Sequence, residues 1–354
     1  MKLSVPYIPD KDYTLFLKNR IQSIESVYFP LASGPILDAR MRFKKTSAQD
    51  LSTGLSMLGT IKKYGLLNSR FIHPKLYHDV DFLDSLLDMF TTLTAQAGMT
   101  GFVFSDAYFL TALSARKNKI IHHLEAVPGI NCMIDSFQKA FSFFEIIQET
   151  GFKLPGKIVL DRSLNREFLQ LETTCKAIKK KYSTIKFELL ANEGCVYHCP
   201  YKLAHDSQIS FSNTGQAGDL TFIANHTIGC HTYFFHHPER FFKSPFIRPE
   251  DTNAYQFLID TIKLCGRTLG TGFLTRCIDA YIQQTHGGNL LELMDATHWL
   301  SDLFDIDNKK LDPGFLNMVT HCTKDCENCS LCRALFLKTT KKKLPAIKEY
   351  KEYQ

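Results

Sequence analysis

The stretch Ile185-Lys186-Phe187-Glu188-Leu189-Leu190-Ala191-Asn192-Glu193-Gly194-Cys195-Val196-Tyr197-His198-Cys199-Pro200 runs from an apolar segment into a loop that carries two thiols. Residues Ile185 to Leu190 read as a buried strand, short and mostly apolar. The loop therefore opens at a strand's C-terminal end, where α/β folds keep their chemistry. Gly194 before the first thiol and Pro200 after the second give a turn tight enough for both sulfurs to face one centre. An iron–sulfur cluster or a zinc ion is the centre such a pair serves.

Outward from this stretch, short β-rich runs alternate with longer amphipathic ones, the pattern of βα units around a parallel sheet. Upstream, the sequence predicts strands at Glu25–Phe29, Leu66–Ile72, Gly101–Ser105, Ile120–Val127 and Lys157–Leu160. Between them it predicts helices over Ala48–Tyr64, Val80–Ala97, a segment ending at Arg116, Ile134–Thr150 and Asn165–Lys181. Downstream the rhythm breaks. Ser207–Gly218 is polar and glycine-containing, a loop or insertion, and Leu220–Ala224 and Gly229–Phe235 read as short strands. The rhythm returns with a strand at Ile259–Leu264 and a helix at Phe273–Gln284. The fold expected is α/β, a TIM-like (β/α) barrel, closed or partly opened, over residues 1–300. Residues 301–354 are expected to form a small Cys-rich C-terminal extension with a basic tail.

At 354 residues and 44% hydrophobic, the chain suits one barrel-sized domain with an appendage better than two equal domains. Met1 to Arg20 mix charges and prolines with apolar residues, and no apolar run approaches bilayer length. Neither a signal peptide nor a membrane span is expected. Eleven cysteines in such a chain argue for metal ligation or buried thiols in a reducing cytoplasm, and against a disulfide framework. Cys175, Cys265 and Cys277 sit in apolar or helical patterns and read as core thiols. The formal net charge of +6 comes partly from Lys338, Lys341, Lys342, Lys343, Lys348 and Lys351. Such a tail keeps a protein soluble and attracts phosphate without sequence preference, so no DNA partner is expected.

Three segments in order carry a family resemblance. They are Lys157-Ile-Val-Leu-Asp-Arg-Ser-Leu-Asn165, the strand leading into Gly194-Cys195-x3-Cys199, and Ser244-Pro245 followed by Ile259-Asp260-Thr-Ile-Lys263-Leu-Cys265-Gly266-Arg267. Over roughly residues 20 to 290 they resemble the barrel core of the peptidase U32 family, the collagenase-like peptidases. The resemblance implies a TIM-like barrel with a cysteine-held [4Fe–4S] cluster. It carries Cys195 and Cys199 over as cluster ligands, with Cys230, ahead of Ser244-Pro245, as the third. Cys132, directly after the fourth strand and its turn, is the best-placed fourth. Despite the peptidase name, relatives act in oxygen-independent hydroxylation of ubiquinone precursors or of RNA bases. The chain departs from the family where the usual His-Gly-Ala is Leu190-Ala191-Asn192-Glu193, and where the Glu of Arg-Glu-Leu-Ser is Ser163.

A second constellation, Cys322-x3-Cys326-x2-Cys329-x2-Cys332, is the strongest purely local signal in the chain. Four thiols at these intervals cannot share one face of a regular helix, but they can wrap a cluster from a tight loop. Zinc is the alternative there, although zinc knuckles set their C-x2-C pairs further apart. One or two clusters are expected, one if the tail thiols complete the barrel site. Asp161 and Arg162, Asn192 and Glu193, and Lys263 and Arg267 fall at three strand ends and are placed to face the barrel mouth. Arg162, Glu193, Lys263 and Arg267 are the catalytic candidates, and the cations among them suit an anionic substrate such as a carboxylate. Mutual pairing for structure is the plainer reading of each.

His198, His205, His231, His236 and His237 crowd the thiols in sequence, but no histidine ligand is expected. No G-x-S-x-G elbow, H-E-x-x-H helix, phosphate loop or G-x-G-x-x-G occurs, which removes nucleotide cofactors and the familiar protease signatures. The function expected is an iron–sulfur protein of the U32 type, an oxygen-independent hydroxylase or related oxidoreductase. Its substrate would be a small aromatic or RNA-borne ring, served by an electron donor or partner subunit. The alternatives are a peptidase, with Cys195 as nucleophile its one serious form, and a non-catalytic iron–sulfur partner subunit.

Overall fold

The computed structural model describes residues 1–31, 37–40, 47–215 and 220–343. Its large sheet has eight parallel strands: β1 (Lys2–Pro6), β2 (Ile24–Pro30), β3 (Lys62–Leu67), β4 (Gly101–Phe104), β5 (Glu125–Pro128), β6 (Lys157–Val159), β7 (Lys186–Leu190) and β8 (Thr261–Lys263). The ladder runs β5-β4-β3-β2-β1-β8-β7-β6, so the first strand pairs with both the second and the last. Between β5 and β6 it gives way to single bridges, Glu125 to Lys153 and Ile134 to Leu160. Glu125 reinforces that seam, its carboxylate accepting from the Gly156 N–H at 3.1 Å and the Tyr64 hydroxyl at 2.8 Å. The result is the TIM-like barrel the sequence predicts, closed by strand pairing at every joint but one.

Helices α1 (Lys11–Asn19), α2 (Ala48–Ser56), α3 (Val80–Ala97), α4 (Ala107–Ser114), α5 (Phe137–Glu149) and α6 (Phe168–Lys181) each follow a strand. The long β7–β8 connection holds α7 (Lys202–Asn213), α8 (Leu220–Thr227) and α9 (Cys230–His236), and α10 (Thr271–Gln283) follows β8. Helix α3 displays the local logic. Asp79 caps it by accepting from the Phe82 N–H, Leu83, Leu86, Leu87, Phe90 and Leu93 repeat at helical spacing and are buried, and Gly98 ends it at φ 67°.

Strand alternation sorts side chains to two places. Leu3, Val5, Val27, Phe29, Phe102, Ile158, Phe187 and Ile262 join the main core. Tyr28, Tyr64, Leu66, Val103 and Val127 form a separate cluster inside the barrel. The rest of the interior is polar. Lys157 Nζ donates to Ser26 Oγ at 2.5 Å and to Glu188 at 2.7 Å, and Lys263 pairs with Glu188 at 3.2 Å.

That polar interior explains why the sequence does not predict β1. Lys-Leu-Ser-Val-Pro carries a lysine, a serine and a proline, but Ser4 lies in register with Ser26 and Lys263 and finds Lys157 at 3.3 Å. Four further expectations are corrected. Leu220–Ala224 and Gly229–Phe235, predicted as strands, lie in helices α8 and α9. In α9, Cys230, Tyr233 and Phe234 reach the core at spacings of three and four, a helical stripe too short to outweigh the aromatic, strand-like composition. Ser207–Gly218, predicted as a loop, is helical to Asn213, because buried Ser210 accepts from the Phe71 N–H at 3.2 Å instead of from water; residues 216–218 lie outside the described residues. The helix predicted to run to Tyr64 stops at Ser56, Gly59 takes φ 62°, and β3 begins at Lys62.

Towards the C-terminus, β9 (Phe304–Ile306) pairs antiparallel with β10 (Thr340–Lys342), enclosing α11 (Phe315–Thr320) and α12 (Leu331–Thr339). Lys348 and Lys351 lie outside the described residues. Among the described residues, no helix is long and apolar enough to cross a membrane.

Candidate functional site at the barrel mouth

Parallel strands deliver their C-terminal ends to one side, so the residues that follow them converge there. A cleft at that mouth encloses about 640 Å³, its open side included, and is lined by Tyr28, Asn68, Arg40, Glu193, Lys202, Lys263, Cys265, Arg267 and Asp295 among others. The loop after β7 is fastened from behind. Buried Asn192 donates to the Cys265 carbonyl at 3.1 Å and the Leu293 carbonyl at 3.0 Å, and accepts from the Cys265 N–H at 2.7 Å. The Asp295 and Ala296 N–H groups donate to the Asn192 and Glu193 carbonyls at 2.8 and 2.7 Å. Asn192 therefore holds the loop and is not a reacting group. Gly194 then turns the chain at φ 69°, where a Cβ would fall 2.5 Å from Thr297 Oγ1; only glycine fits.

Glu193 gathers the charges. Arg162 Nη1 lies 2.8 Å from it, Lys202 Nζ 3.9 Å and Arg40 Nη2 4.0 Å. Burial alone would raise its pKa, but these cations outweigh burial and hold it below the ordinary carboxylate value. Glu193 is thus a fixed anion, not a base poised near neutrality. Lys202 and Arg40 have second partners, Asp206 at 2.8 Å and Asp295 at 3.2 Å. Arg162 differs. Its Nη1 meets Glu193 out of hydrogen-bond alignment, and among the described residues its Nε, Nη1 and Nη2 are all buried without a hydrogen-bond partner.

The other charged candidates are committed. Lys263 pairs with Glu188 and lies 3.7 Å from the Tyr28 ring centroid. Burial pulls its pKa below the ordinary lysine value in spite of Glu188. Arg267 pairs with Asp38, and Asp161 caps the turn after β6 by accepting from the Ser163 N–H at 2.9 Å. Glu193, Lys263 and Arg267 line the one cleft, with Arg162 against Glu193.

All eleven cysteines are free thiols. Cys195 and Cys199 act on one another, which raises the pKa of Cys195 and lowers that of Cys199. Cys230, at the start of α9, lies in the field of Cys195 and is pushed up to about 11, chiefly by burial. The Lys202 cation acts on all three. Cys132 stands elsewhere, donating to the Phe104 carbonyl at 3.4 Å; burial pushes it up to about 12, and the groups acting on it are Gly129, Arg70 and Ser105. Cys265, read from sequence as a core thiol, is half-buried and lines the cleft. Its position just past β8 is the signal that could have found it. Burial, then Asp295 and Glu193, drive its pKa well up, so it is a neutral thiol.

In the tail, Cys332 lies in the field of Cys322, Cys326 and Cys329. Among the described residues, no three His, Cys, Asp or Glu side chains are already arranged to hold a metal ion. Of the histidines, His198 meets Glu167 at 3.0 Å and His231 stacks on Trp299, ring centroids 4.5 Å apart.

Over 247 residues, 70% of this chain and 68% of its relative, the sequence is 32% identical to the uncharacterized protease MJ1657 of Methanocaldococcus jannaschii. The chain belongs to the peptidase U32 family. No protein-family model matches it. Among solved structures, the U32 peptidase Mk0906 covers 75% of this U32 chain, with 92% of its own length, at a TM-score of 0.46 and 12% identity. An α-amylase from Geobacillus thermoleovorans covers 90%, with 77% of its own length, at 0.42 and 9% identity.

Proposed function

We propose that this U32 chain is an enzyme whose active site is the barrel-mouth cleft and whose substrate presents an anionic group, a peptide carboxylate in the first instance. The observation that carries this reading is Arg162, a buried guanidinium beside Glu193 with no hydrogen bond on any of its nitrogens among the described residues. Nη1 is committed to the Glu193 ion pair at 2.8 Å, but Nε and Nη2 have no partner among the described residues, and each such buried donor costs on the order of 1–3 kcal/mol, which a bound oxyanion would recover. Peptide hydrolysis is the reaction supported by the relative, whose name is that of a protease. In it, Arg162 and Lys202 would hold a carboxylate or the developing oxyanion, and Glu193 would fix their positions. Cys265 and Cys195, both raised in pKa, are poor nucleophiles. The test is digestion of a mixed peptide library by the full chain, read by mass spectrometry. Cleavage that Arg162→Met abolishes supports the reading, and an uncut library contradicts it.

A second reading is favoured by the thiols. Cys195, Cys199 and Cys230 lie in the field of Lys202, which lines the cleft, and thiolates with a compensating cation are the soft donors an iron–sulfur cluster takes. Held there, a cluster would supply one-electron chemistry for oxygen-independent hydroxylation of a small or RNA-borne ring. Cys132 stands apart against the Phe104 carbonyl, so the candidate ligands here are three. Iron and sulfide assays on protein purified without oxygen test it: iron that Cys195→Ser removes supports it, and iron-free protein sinks it.

A further inference from the structure

The tail thiols are separate from the cleft, and independent observations converge on them. Two backbone N–H groups point at their sulfurs, Lys324 to Cys322 at 3.4 Å and Leu331 to Cys329 at 3.5 Å. Such bonds stabilise thiolate charge at a metal centre. Lys324 reaches its geometry at φ 65°, a left-handed conformation uncommon for a lysine. Cys332 lies in the field of the other three thiols. A cavity is shared by Cys322, Cys332, Lys243, Lys324, Tyr197 and Arg166. Arg166 is 2% exposed; its Nε and Nη2 donate to the Ser244 carbonyl at 3.2 and 2.8 Å, while Nη1 is buried without a partner among the described residues. A buried cation with a free N–H thus borders the thiols.

We propose that Cys322, Cys326, Cys329 and Cys332 bind one iron–sulfur cluster of their own, with Arg166 as its buried counter-charge. A cluster with four thiolate ligands is an anion, and Arg166, Lys243 and Lys324 give it positive surroundings. A single zinc ion would take the same four thiolates at about 2.3 Å, and the metal assay below tells it from a cluster. The cluster would also set the tail against the barrel, since Lys324 Nζ stands 5.4 Å from the Tyr197 ring centroid, and Tyr197 lies between Cys195 and Cys199 in the mouth loop. This assignment does not depend on the reaction at the cleft.

The test uses the full chain purified without oxygen, assayed for iron, sulfide and zinc and by electron paramagnetic resonance after reduction. Cys326→Ser/Cys329→Ser, which changes two exposed residues, is expected to lose about four iron and four sulfide per chain, whereas Cys195→Ser/Cys199→Ser keeps them. Should the double variant melt below the wild type, Cys326→Ser alone carries the same comparison. Arg166→Met is expected to keep the iron and shift the reduction potential to more negative values. Zinc in place of iron, iron unaltered by the tail substitutions, or the same iron lost from both pairs overturns the proposal.

Discussion

Arg162 is the residue on which the reading of the cleft turns. Replacing it with Met removes the cation nearest Glu193, at 2.8 Å, and leaves that buried carboxylate Lys202 and Arg40 at 3.9 and 4.0 Å, both already paired with Asp206 and Asp295. Arg162→Met is therefore expected to destabilise, by up to the ~3–5 kcal/mol typical of breaking a buried pair. Urea unfolding checks this. Glu188 is a second buried anion, inside the barrel. Burial raises its pKa, but Lys157 and Lys263 outweigh burial and hold it below the ordinary 4.5. Its contribution is fully present above the unfolded-chain value and is lost as pH falls through the depressed folded value. Glu188→Gln leaves Lys263 without its carboxylate and Lys157 with Glu25 alone, at 3.3 Å, and is expected to cost about 3–5 kcal/mol near neutrality. Unfolding curves from about pH 7 to about pH 3 should show that gap narrowing on the acid side, where the wild type loses the same charge; a constant gap contradicts the assignment. Sequence made Arg162, Glu193, Lys263 and Arg267 legible as strand-end charges. It could not reveal that Lys263 and Arg267 are spent on Glu188 and Asp38, because those partners come from other strands and loops.

At the scale of elements, the loop after β7 depends on one glycine. Gly194→Ala meets both a positive φ and Thr297 Oγ1, and is expected to cost about 1–3 kcal/mol. Gly272 lies inside α10 with open space where its Cβ would go, so Gly272→Ala is expected to be neutral or to stabilise by up to about 1 kcal/mol. Thermal melts of the two variants measure the contrast, and equal melting temperatures would contradict it. Elements with a full apolar stripe were readable: the helix predicted over Val80–Ala97 has those same bounds in the structure. The unreadable ones took their signal from tertiary partners. β1 is a strand because Lys157 and Ser26 receive Ser4, and α9 is a helix because Phe234 and Cys230 find the core on one side.

Across the whole molecule, the barrel brings distant sequence to one face. Arg40, Arg162, Glu193, Lys202, Lys263 and Asp295 span most of the chain and meet at the mouth. Segments after α10 take part as well, since Asp295 and Ala296 pair with the Asn192–Glu193 backbone. Their role was not legible, because nothing local marks a backbone strap. The account's central claim is that this convergence recognises an anionic group on a peptide. The most direct measurement is steady-state cleavage of one susceptible peptide and its C-terminally amidated twin, by the wild type and by Arg162→Met. The account predicts that the wild type prefers the free carboxylate by at least about tenfold in kcat/KM, a difference of about 1.4 kcal/mol, and that Arg162→Met loses the preference. Equal cleavage of the twins by the wild type, or a preference that survives in Arg162→Met, would contradict it.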